Sequence, residues 1–121
     1  MYKSNYRPMK VITVPLTHSA VRRLDYDVAE PGDLIEMKLE DETFHELAKC
    51  GLFDKINALS NKIIDEFEDE MIVEQSQLQA ILESHVFEPG NYPASLSDVL
   101  ARIEAMFKEA LTRSTGVYFY F

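Results

Sequence analysis

Tryptophan is absent from this chain, cysteine occurs once, and the four glycines never fall as Gly-x-Gly. The lone Cys50 excludes an internal disulfide, which fits a reducing compartment. Without paired glycines there is no loop of the kind that cradles phosphates. No apolar run approaches the roughly 20 residues that span a bilayer. Residues Met1 to Lys10 mix Lys3, Arg7 and Lys10 with Asn5 and Pro8, so no signal-peptide core is visible there. The expected location is cytoplasmic. Met9 would make a natural chain start, and residues 1–8 are expected to form a loose extension.

The most informative gap is in positive charge. Between Lys62 and Arg102 there is no Lys or Arg, yet this stretch holds Asp65, Glu66, Glu68, Asp69, Glu70, Glu74, Glu83, Glu88 and Asp98. Those nine acids account for the whole net charge of −9, since the rest of the chain balances twelve acids against twelve bases. Such a field repels nucleic acid and anionic membranes and attracts basic surfaces. What is present otherwise is globular: 46% hydrophobic and 27% charged residues in 121. A chain of this length buries roughly two-thirds of its unfolded surface and needs no metal or disulfide to fold.

Hydrophobic periodicity predicts a single α+β domain over residues 9–121. A small antiparallel or mixed sheet would include both chain ends and pack against three to four helices. Val11 to Leu16 reads as a strand. Leu24 to Val28 alternates like a strand, but Ser19 could equally cap a helix to Asp25. Glu30-Pro31-Gly32-Asp33 is a turn, and Ile35, Met37 and Leu39 mark a strand that could form a hairpin with the preceding alternating run. Asp41 is the expected N-cap of a helix reaching Cys50, with Gly51 stopping it. Phe53, Ile56, Leu59, Ile63 and Phe67 have helical spacing and predict a helix to the mid-sixties, with Met71 to Val73 its last turn or a short strand. A helix over Gln75 to Ser84 follows, then a loop at Pro89 to Pro93. Ser95 and Asp98 suggest a capping box for a long final helix, ended by Gly116. The closing Val117 to Phe121 alternates as a strand whose simplest partner is the first one.

Asp65 to Glu70 puts five acids in six positions. A solvated helix end is one reading and a partner-binding face is the other. Acids at a helix C-terminus oppose its dipole by about 0.3–1 kcal/mol each, which favours a functional reason. A calcium loop is not matched, because the alternating Asp spacing and distal Glu are missing. Glu42 and His45 have the Glu-x-x-His spacing of di-iron bundles, but only one copy exists and no metal site is expected. Cys50, at a helix C-terminus, is read as a small buried apolar residue, not a nucleophile. Arg22 and Arg23, with Lys10 and Tyr26, form the one basic patch, too small for nucleic acid. Tyr118 and Tyr120 could stack on a ligand, but packing is their commoner use.

The run Gly51-Leu52-Phe53-Asp54-Lys55-Ile56-Asn57, then Ile64 to Ile72, then Leu78 and Leu82, resembles small bacterial toxin-immunity-type proteins. The resemblance spans residues 44–86. It implies non-catalytic inhibition, with acids filling the basic cleft of a cognate toxin, and the charge map points the same way. The expected site is therefore partner-binding: Asp65, Glu66, Glu68, Asp69, Glu70 and Glu74. No catalytic residue or cofactor is expected. The rival reading is a structural subunit that assembles through Val117 to Phe121.

Overall fold

The two apolar strands at opposite ends of the chain pair with each other at the centre of one sheet. In the computed structural model, which describes residues 9–121, β1 (Lys10–Pro15) runs antiparallel to β4 (Val117–Tyr120), with Ile12 opposite Phe119. β2 (Leu34–Leu39) pairs with the other side of β1, and β3 (Asp69–Ile72) with the other side of β4. The order is β2-β1-β4-β3, antiparallel throughout. The expectation for residues 1–8 lies outside the described residues.

Alternation decides which side chains enter the core. Ile12, Val14, Met37, Leu39, Ile72, Val117, Phe119 and Phe121 all belong to it. Four helices supply most of the rest, α2 (Asp41–Lys49), α3 (Leu52–Ser60), α4 (Gln75–Glu83) and α5 (Ser97–Arg113), with Ile64, Val86, Phe87, Tyr92 and Leu96 added from the connections. Two short 3-10 turns, Pro89–Asn91 and Ala94–Leu96, lead into α5, whose Leu100, Ile103, Met106, Phe107 and Ala110 are buried. α1 (His18–Asp25) shares a cleft with Tyr118, whose side chain leaves the sheet opposite to Val117 and Phe119.

Several local expectations are corrected. Residues 18–25 are helical, and the cap is Thr17, whose Oγ1 accepts from the Ala20 N–H at 3.0 Å. There is thus no strand at Leu24 to Val28 and no hairpin with it; β2 pairs with β1 instead. Asp41 is the first residue of α2 and not its cap, because its carboxylate is taken by Lys10. Ser95 sits in a 3-10 turn, and α5 starts at Ser97 without a side-chain cap. Cys50 is half-buried at the end of α2.

The largest correction is at the end of α3. Asn61 takes a left-handed conformation (φ 55°) directly after Ser60, which short amide side chains tolerate. The Asn57 side chain then holds the Ile64 backbone on both sides, accepting its N–H at 2.8 Å and donating to its carbonyl at 3.2 Å. The chain turns back, Ile64 is buried, and Ile63 and Phe67 are left outside. The helical spacing continued past the helix. As a result the acids do not crowd a helix C-terminus, and no dipole penalty applies to them.

Gly116 also has a different task. The left-handed residue after α5 is Ser114 (φ 56°), while Gly116 lies where β4 meets β3. A Cβ there would stand 2.7 Å from Val73 Cγ1 and 2.9 Å from the Ile72 carbonyl oxygen. The oxygen belongs to backbone already fixed by pairing, so it cannot retreat cheaply. We expect Gly116→Ala to cost about 1–3 kcal/mol in urea unfolding. An unchanged midpoint would contradict this packing.

Candidate functional site

The acid run lies on a loop and an edge strand. Residues 61–68 form the loop between α3 and β3, and β3 is the outermost strand on its side of the sheet. Its six predicted site residues do different things. Glu66 is drawn inward: its carboxylate lies 2.9 Å from Lys10 Nζ and 3.2 Å from His45 Nε2. Glu70 is half-buried and accepts from the backbone N–H groups of Ile63 and Met71, at 3.2 and 3.0 Å. Asp65 is exposed and accepts from the Glu66 N–H at 2.8 Å. Glu68, Asp69 and Glu74 are exposed, and the carboxylates of Glu68 and Glu74 have no partner among the described residues. Four of the six therefore face solvent.

Lys10 organises the inner end of this loop. Its side chain is 2% exposed, with Asp41 Oδ1 at 2.7 Å and Glu66 Oε2 at 2.9 Å. The Phe44 ring centroid is 5.0 Å from the ammonium, and that of Phe67 is 5.7 Å. Burial opposes the charge, but the hydrogen bonds to Asp41 and Glu66 outweigh it and raise the Lys10 pKa. The same bonds hold both carboxylates below their ordinary range, Lys10 acting first in each case and His45 second on Glu66. The cluster joins β1, α2 and the acid loop. Lys10 is therefore not part of a basic patch. Arg23 is also engaged, donating to both carboxylate oxygens of Asp33 at 2.6 and 2.7 Å. Its guanidinium and the Glu30 N–H pull the Asp33 pKa down to about 2.

Phe67 is the unusual residue of the loop. It has φ 65°, a region in which a bulky side chain costs about 1–3 kcal/mol. The residue is 62% exposed, and its cation–π contact with the buried Lys10 ammonium returns about 2 kcal/mol, which offsets part of that cost. Ile63 is 72% exposed in the same loop, and Met71 and Val73 are 43% and 41% exposed along the edge. The helical spacing of Ile63 and Phe67 with Phe53, Ile56 and Leu59 predicts a helix running on to the mid-sixties, but α3 ends at Ser60. What could have located them is the Asn61 turn signal, since a left-handed stop there ends the stripe at Leu59.

The edge itself is guarded. Phe121 N–H donates to the Glu68 carbonyl at 3.2 Å, so alternation points the backbone groups of Met71 and Val73 away from β4. Glu70 occupies the Met71 N–H, and Gln75 Nε2 donates to the Val73 carbonyl at 3.3 Å. Capping of this kind discourages strand addition from another chain. Two acids missed by the charge map, Asp25 and Asp27, lie near enough to Tyr120 to act with Asp69 on its phenol. Burial first, then Tyr118 and these carboxylates, push it up to about 12.

His18, His45 and His85 belong to the start of α1, to α2 and to the turn after α4. The His18 Nε2 is 3.0 Å from the Ser114 carbonyl. Among the described residues no three His, Cys, Asp or Glu side chains are placed to hold a metal ion, and no helix is long and apolar enough to cross a membrane. Compared with known protein families, with characterised proteins and with solved structures, the chain matches none of them.

The Lys10 cluster predicts a pH dependence. A carboxyl whose folded pKa is depressed stabilises the fold above its unfolded pKa, and this is lost as pH falls through the folded value. Asp41 and Glu66 are both depressed. Lys10→Met should therefore flatten the loss of stability between roughly pH 5 and pH 3, measured by urea unfolding at each pH. Parallel pH profiles for the two proteins would contradict the cluster.

Proposed function

We propose that this protein is a non-enzymatic, acidic inhibitor that binds a partner protein with a basic cleft, in the manner of toxin-immunity proteins. The observation that carries the reading is the segment 63–74, in which exposed acids and exposed apolar side chains are interspersed, with Val73 turned to the α1 side of the sheet. Asp65, Glu68, Asp69 and Glu74 are interspersed in the chain with Ile63, Phe67, Met71 and Val73, on the loop 61–68 and the edge strand that follows it. Protein-binding surfaces combine apolar contacts with charged rims in this way. Acids at a cleft-filling face speed docking to a cationic site and weaken with salt.

Glu66 and Glu70 leave the contact set under this reading and become the residues that shape the segment. Edge protection accounts for Glu70, but not for Asp65 and Glu68, which precede the strand. The alternative, assembly through the C-terminal strand, has less support. β4 is hydrogen-bonded to β1 on one side and to β3 on the other, so neither of its edges is open.

A charge-reversed triple variant, Asp65→Lys, Glu68→Lys and Glu74→Lys, tests the proposal. Exposed charges contribute little to stability, so the variant should unfold near the wild-type midpoint. Used as bait in lysate of the native cell, the wild-type protein should retain a basic protein that elutes below about 0.5 M salt. The triple variant should retain about tenfold less. Equal capture by both baits would mean that the acids are only a solvated face.

A further inference from the structure

We infer that Phe67, together with Ile63, is the apolar anchor of this surface, and that it seats in an apolar pocket of the partner rimmed by lysine or arginine. The inference rests on the inhibitor reading above and goes further, since it moves the specific contact from the acids to two side chains between them. A turn of left-handed backbone is made without strain by glycine or asparagine. Phe67 holds φ 65° and covers the Lys10 ammonium with its ring, yet the residue stays 62% exposed, so apolar surface is left over for a contact outside the chain.

The loop that presents these residues is rigidly built. Lys62 N–H donates to the Asn57 carbonyl, the Asn57 side chain clamps Ile64, and Glu70 accepts the Ile63 N–H. On the far side, Glu66 is bonded to Lys10 and His45, and the Glu68 carbonyl is held by Phe121. Each exposed apolar residue is thus adjacent to a fixed one. Ordering costs are met in the free protein, so contact by Ile63 and Phe67 would translate efficiently into affinity. Anchors of interfaces are typically aromatic, central and rigid, with weaker contacts around them. The flanking Asp65 and Glu68 set the complementary charge of the pocket rim.

The test uses a random peptide library displayed on phage and panned against the wild-type protein. Selected peptides should combine an apolar or aromatic residue with two or more Lys or Arg. Their affinity should fall about tenfold or more for Phe67→Ala and for Ile63→Ser, chiefly through faster dissociation. Thermal unfolding checks that each variant is folded, and Ile63→Ser serves as a second variant that leaves Lys10, Asp41, Glu66, Phe44 and Phe67 in place. The double variant Asp65→Lys, Glu68→Lys should mainly slow association. Peptides that bind Phe67→Ala and Ile63→Ser unchanged, yet fail on the double variant, overturn the anchor and leave the acidic inhibitor standing. Peptides indifferent to all of these variants overturn both. Recovery of no binder above background also overturns the anchor.

Discussion

Pairing of β1 with β4 is the constraint on which the rest of the molecule depends. Two apolar strands from opposite ends of the chain occupy the centre of the sheet, with Ile12, Phe119 and Phe121 fully buried. Everything between them must leave from β1 and return to β4. α5 crosses the core face and delivers the chain into β4, and β2 and β3 take the outer positions on either side of the central pair. The acid-bearing segment is part of β3 and the loop before it. It therefore lies at the rim of the sheet.

At that rim, the ion cluster of Lys10, Asp41 and Glu66 links the first residue of the central strand to the acid loop. A buried cation in an acidic protein has a use here that a hydrophobic residue would not supply. It fixes where the loop sits relative to β1 and α2, and it turns one of five clustered acids into an internal support. The same cation lies under the ring of Phe67. The acids of the run therefore divide into two groups. Glu66 and Glu70 hold the loop and edge, and Asp65, Glu68 and Asp69 face outward.

Much of this architecture was legible in the sequence because its signals are long and redundant. The alternation of Val117 to Phe121 assigned each residue to the correct face, and the stripe from Leu100 to Ala110 marked α5. What was not legible depends on contacts distant in the chain. Asp41 looked like a helix cap, and only the presence of Lys10 from β1 shows why its carboxylate points elsewhere. Ile63 and Phe67 continue a helical period by coincidence, while Asn57 and Asn61 end the helix by hydrogen bonding that periodicity does not register. The acid run was visible as composition, but its division into supporting and outward-facing residues needed the fold. Asp25 and Asp27 were invisible as members of the acidic field because they lie about 40 residues away, two and four positions after Arg23.

Under the proposed function, steering of a basic partner by the outward acids Asp65 and Glu68 is the decisive step. It is tested most directly by the association rate of the captured basic partner with the wild-type protein, measured as ionic strength is raised from about 0.02 to 0.5 M. Steering predicts that association slows by an order of magnitude or more across this range while dissociation changes far less. An association rate independent of salt would contradict it.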